Sequence, residues 1–90
     1  MDTFIVYGIT DCPACLRACA ELMECDREYV FVESDFSPSY RTYLKDRYTW
    51  PTFPIIIYFD GQKEELIGGY EQLRGYLAGL SGISTPSCSL

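Results

Sequence analysis

Residues 10–18, TDCPACLRA, place two cysteines three positions apart around a proline and an alanine. Proline lacks an amide hydrogen, and its fixed φ suits the first position of a helix. The stretch therefore reads as a helix start, with Cys12 at the N-cap and Pro13 at N1, and predicts a helix over residues 13–25. Leu16, Cys19, Ala20 and Met23 recur at helical spacing and are the expected buried stripe. Upstream, residues 3–7, TFIVY, form a short apolar run of β-formers bounded by Gly8, which reads as a buried strand.

Working outward, residues 29–33, YVFVE, read as a second strand. Ser37-Pro38 starts a second helix with Tyr40, Tyr43 and Leu44 on one face. Residues 53–59 read as a third strand, and Asp60-Gly61 as a hairpin turn into a fourth over residues 63–67. Gly68-Gly69 ends that strand. A third helix over residues 70–80 carries Leu73, Tyr76, Leu77 and Leu80. The order is β-α-β-α-β-β-α. Strand–helix–strand units imply parallel pairing, and the hairpin adds an antiparallel edge. The predicted fold class is α/β, a four-stranded mixed sheet with helices on both faces. Residues 1–80 form one expected domain. Residues 81–90, small and polar with one proline, are the expected flexible tail.

Ninety residues are one domain's worth of chain, enough to bury about 60–65% of the unfolded surface. Net charge is −6, which argues against binding a nucleic-acid backbone. No apolar run approaches the roughly 20 residues that span a membrane. No charged-then-apolar leader precedes the first strand. Of five cysteines, four crowd into residues 12–25, unlike the spread, even set of a secreted scaffold. A reducing, cytoplasmic setting is expected, where paired cysteines are catalytic or metal-binding. Histidine is absent, which removes Cys/His nucleophile pairs and His-containing zinc sites.

At the N-cap, a Cys12 thiolate faces the first-turn amides of Ala14 and Cys15 and the positive end of the helix dipole. Cys15, three residues on, shares that face. Zinc would need two more soft donors. Cys19 belongs to the apolar stripe and Cys25 points elsewhere, so no metal is expected. A disulfide spanning three residues closes too short a loop to stabilise the fold much. Redox chemistry is the remaining use. Thr52-Phe53-Pro54 opens the third strand, where proline removes no needed donor. A cis Phe53–Pro54 bond would turn the Phe53 backbone toward an extended thiol peptide; Trp50-Pro51 is the competing special turn. Gly68-Gly69 leaves the amides at the start of the third helix open to an anion.

The segments IVYGITDCPACLRA, TFPIII and IGGYEQL, at their spacing, make the chain resemble a dithiol glutaredoxin from Thr3 to about Leu80. The resemblance implies a thioredoxin-like fold and glutathione-dependent thiol–disulfide exchange. Cys12 matches the nucleophile and Cys15 the resolving cysteine, the two forming the redox disulfide. Phe53 and Pro54 match the segment whose backbone holds the cysteine of glutathione. Gly69, Tyr70, Glu71 and Gln72 match the segment at its γ-glutamyl end, and Lys45 or Arg47 the cation for its glycine carboxylate. Partners implied are glutathione and glutathionylated or disulfide-containing proteins, ribonucleotide reductase among them, acted on by a monomer.

Three positions depart from the family pattern. Ile9 stands where a Lys or Arg is common, Ala14 replaces a tyrosine, and Glu71-Gln72 places the acid one position early. Losing a partly buried carboxylate partner for an ammonium costs about 1–3 kcal/mol, a roughly ten- to hundredfold loss of glutathione affinity. Two alternatives stay open. One is an electron donor recharged by thioredoxin reductase and serving ribonucleotide reductase. The other is a dimer bridging an iron–sulfur cluster, against which Pro13 argues.

Overall fold

The computed structural model describes residues 2–81. Residues 82–90 of the predicted tail, Cys88 among them, therefore fall outside the described residues, as does the side chain of Leu80, while residue 81 closes the last helix. The elements are β1 (Thr3–Gly8), α1 (Pro13–Glu24), β2 (Tyr29–Glu33), α2 (Pro38–Tyr48), β3 (Ile55–Phe59), β4 (Glu64–Gly68) and α3 (Tyr70–Ser81). The sheet order is β2-β1-β3-β4. β1 pairs parallel with β2 and antiparallel with β3, and β3 pairs antiparallel with β4. The expected mixed sheet is present, and each strand lies close to its predicted span. The third begins at Ile55 rather than Phe53, because Pro54 has no ladder donor and Phe53 stays in the preceding loop.

Strand alternation sorts the side chains onto two faces. Phe4, Val6 and Ile56 meet Ala18 and Leu22 of α1 and Leu73 and Leu77 of α3. On the other face Ile55 and Ile57 meet Leu44 of α2, flanked by Ile5, Tyr7, Tyr48 and Trp50. Helices thus cover both faces of the sheet.

Local chemistry sets the boundaries. Ser37 caps α2 by accepting the Tyr40 amide at 3.1 Å, with Pro38 next. α2 ends where Thr49 takes a left-handed φ of 51°, a conformation unusual for a β-branched residue. At the hairpin, Asp60 accepts the amides of Gln62 and Lys63 at 2.9 and 3.0 Å. Gly61 supplies a φ of 102° there. Between Ile56 and Ile57 the register slips, with Ile56 opposite Gly68 and Ile57 opposite Leu66. This bulge twists the end of β4 toward α3.

α1 departs from expectation in its buried face. Cys15, Ala18 and Leu22 are buried, whereas Leu16 and Met23 are 61% and 64% exposed. α1 carries two apolar rows. The row with the smaller first residues, Cys15 and Ala18, is the one that can approach the sheet closely. Leu22→Ala is expected to lower unfolding free energy by about 2–5 kcal/mol, against less than about 0.5 kcal/mol for Met23→Ala. Urea denaturation of the two variants checks this, and similar losses in both would contradict the assigned face.

Candidate active site

Cys12 has extended backbone, φ −142° and ψ 106°, and Pro13 follows as the first helical residue. Its Sγ accepts the Cys15 amide at 3.4 Å, which is the N-cap arrangement read from the sequence, with Cys15 rather than Ala14 as the donor. Cys12 is half-buried, while Cys15 is fully buried. Burial pushes the Cys15 thiol up to about 12, helped by its hydrogen bond and charge interaction with Cys12 and opposed by the Ile9 amide. At neutral pH Cys15 therefore holds its proton, and the reachable sulfur is that of Cys12. Ile9 contributes through its backbone, a role its apolar side chain does not advertise.

Residue 8 sets how closely the two elements meet. A Cβ on Gly8 would lie 2.8 Å from Cys15 Sγ and 2.9 Å from a Phe31 ring carbon. The carbonyl of Gly8 is pinned twice, by the amide and by the hydroxyl of buried Ser34, each at 2.9 Å. Arg41 of α2 donates to the Ser34 and Asp35 carbonyls, both at 2.9 Å. The Asp35 carboxylate accepts the Thr10 amide at 3.1 and 3.2 Å and the Thr10 hydroxyl as well. The loop leading into Cys12 is thus tied to the end of β2. Sequence reading missed Ser34 and Asp35, whose contacts with Gly8 and Thr10 join segments some 25 positions apart, and Arg41, which acts through the backbone carbonyls of those two residues.

Beside Ala14 lies a groove of about 390 Å³. Phe53, Pro54, Gly69, Tyr70, Glu71 and Gln72 all line it. It therefore gathers six of the residues singled out in the sequence around the helix that carries the cysteines. The Phe53–Pro54 bond is cis, and Trp50-Pro51 is not. Lys45 sits at the margin, its Nζ 5.5 Å from the Phe53 ring centroid. Arg47 is turned off the groove, over the Tyr48 ring and 3.5 Å from Glu64. Two further lining residues are Arg17, which escaped the sequence reading, and Trp50, read there only as part of a competing turn. Arg17 lies one helical turn past Ala14, a spacing that would have revealed it.

The start of α3 differs from the open anion site expected. Gln72 Oε1 accepts the Gly69 amide at 3.0 Å, and Leu73 N bonds Gly69 O at 3.0 Å. Gly69 is thus the N-cap and Gln72 the N3 partner of a capping box. One amide is already used, and those of Tyr70, Glu71 and Gln72 remain before the first helical bond. Gly68 has φ 121°, and a Cβ there would lie 3.0 Å from both Gln72 Cγ and Trp50 Cη2. No side chain fits that position without moving Trp50.

A family model described as glutaredoxin matches residues 4–63. No curated protein matches the chain. The matched span holds both cysteines, the Ser34–Asp35 anchor and the Phe53–Pro54 bond.

Two outcomes follow from the sulfur beneath the helix. The folded protein keeps the Cys15 proton to about 12, whereas an ordinary thiol releases it near 9.0. The folded state thus binds more protons in that window, and stability falls as pH rises through it. The contribution is complete below pH 9 and gone above about 12. Urea unfolding from pH 8 to 11 is expected to show a shallower alkaline loss in Cys15→Ala than in the parent. Parallel slopes would contradict a raised thiol. Gly8→Ala is expected to cost about 1–3 kcal/mol by overpacking and to speed alkylation of Cys15 by iodoacetamide. Unchanged labelling would show that the contact is slack.

Proposed function

The chain belongs to the glutaredoxin family and is a thiol–disulfide oxidoreductase, and from that premise we propose that it runs on glutathione. One observation carries the reading. The reachable Cys12 sulfur takes an amide hydrogen bond at a helix N-terminus, with a protonated thiol buried directly behind it.

The Cys12 thiolate attacks the glutathione sulfur of a mixed disulfide. A Cys12–glutathione bond forms, and the protein thiolate leaves and takes up a proton. A second glutathione thiolate then attacks the bound sulfur, releasing glutathione disulfide and restoring Cys12. With a protein disulfide, Cys12 displaces one sulfur. Cys15 gives up its proton and attacks Cys12, leaving the Cys12–Cys15 disulfide and a reduced substrate. Two glutathiones return the dithiol.

In this reading glutathione lies along the groove, its cysteine against the Phe53 backbone and Pro54. Its γ-glutamyl end meets the amides of Tyr70 and Glu71. Lys45 serves the glycine carboxylate, being the cation nearer the groove; Arg47 is engaged with Glu64. Glu71 supplies the carboxylate for the ammonium, because the Gln72 amide is committed to Gly69. A monomer acting in the cytoplasm on glutathionylated proteins and ribonucleotide reductase belongs to the same proposal. Among the described residues no helix is long and apolar enough to cross a membrane.

That commitment of Gln72 also favours a second reading, reduction by thioredoxin reductase. A coupled assay with glutathione and its reductase, run beside thioredoxin reductase, separates them; turnover only with the latter would overturn the first. Cys12→Ser is expected to remove deglutathionylation and disulfide reduction alike, on the order of a thousandfold or more. Cys15→Ser is expected to keep deglutathionylation and lose protein-disulfide reduction. Equal losses in both variants would contradict the division between attacking and resolving sulfurs.

A further inference from the structure

The sheet order β2-β1-β3-β4 puts Cys12, which follows β1, between two flanks. The groove occupies the β3–β4 side. A mixed disulfide has two halves, so the second must lie over the β2 side. There Phe36, Tyr40 and Tyr43 stack in a row. The ring centroids are 5.6 and 6.2 Å apart at interplanar angles of 27° and 16°. Phe36 and Tyr43 are 74% and 55% exposed, far more than a contact closing the start of α2 would require. The row begins beside the reactive loop, since Asp35 precedes Phe36 and binds Thr10.

Charge narrows the occupant. Asp11, next to Thr10 in the chain, and Glu33 and Asp35, within three residues before Phe36, are all exposed, in a chain of net charge −6. The nearest cation, Arg41, is spent on two backbone carbonyls, and Arg47 at the far end pairs with Glu64. An aromatic face rimmed by carboxylates attracts guanidinium and ammonium groups. Resting on the thiol-exchange reading above, we infer that this flank receives the protein half of the substrate disulfide and selects cysteines flanked by arginine or lysine.

The test uses two synthetic peptides, each with one cysteine joined to glutathione, flanked by two arginines in one and two glutamates in the other. Reduced protein is mixed with each, and release of the peptide thiol is followed in a single turnover. Basic neighbours also make a thiol a better leaving group. Each rate is therefore divided by that of the same peptide with 2-mercaptoethanol. The normalised rate is expected to favour the arginine peptide about tenfold at 50 mM salt, the scale of one cation–π contact plus rim ion pairs. The preference should shrink at 0.5 M salt. Phe36→Ala should reduce it to about threefold or less while leaving the mixed disulfide of glutathione and 2-mercaptoethanol untouched. A ratio near one, a preference for the glutamate peptide, or no salt effect in the unaltered protein would overturn the inference. So would an equal loss on the small disulfide in Phe36→Ala. Absence of any thiol release, even from the small disulfide, would overturn the exchange reading itself.

Discussion

A second sulfur can lie beneath the first because residue 8 has no side chain. Gly8 ends β1 where Cys15 Sγ presses against it, at a distance no added carbon could share. That contact brings the start of α1 down onto the sheet and removes Cys15 from water. Burial then keeps the thiol protonated and leaves a single reachable sulfur at the helix mouth. The strand end cannot drift, since Ser34 holds the Gly8 carbonyl from two directions and Asp35 holds Thr10. Polar groups that look peripheral in the chain thus fix the position of the chemistry.

The groove depends on a similar economy of space at the other end of the fold. The bulge in β4 and the positive φ of Gly68 turn the chain sharply into α3. Trp50 and Gln72 close over the glycine pair. Gln72 caps the helix with its own amide oxygen, which leaves the amides of Tyr70, Glu71 and Gln72 without a helical acceptor, and Glu71 lines the groove beside them. Arg17 on α1 and Glu71 on α3 give the groove opposite charges on facing elements.

Much of this was legible in the chain. The proline after Cys12 and the serine before Pro38 mark the starts of α1 and α2. The Asp60-Gly61 turn marks the hairpin. What resisted reading had physical reasons. α1 has two apolar rows, and periodicity cannot choose between them; the close approach to Gly8 does, by favouring small residues. α2 stops at a left-handed threonine instead of a glycine, so only Pro51, two residues further on, announces its end. The role of Gln72 is a local hydrogen bond to the Gly69 amide, and the identity of the residue alone does not say that its side chain is used there. Ser34 and Asp35 act across long sequence separations, where spacing carries no signal, and Arg41 bonds backbone carbonyls, which any residue type would offer.

Trp50 is the chain's one tryptophan. It stands in the groove wall with its indole Nε1 buried and without a hydrogen-bond partner among the described residues. Its emission is therefore an optical gauge built into the protein, free of other indoles. Anything that seats itself between α1 and α3 alters the polarity around that one ring, so loading of the site can be watched in solution with no label attached.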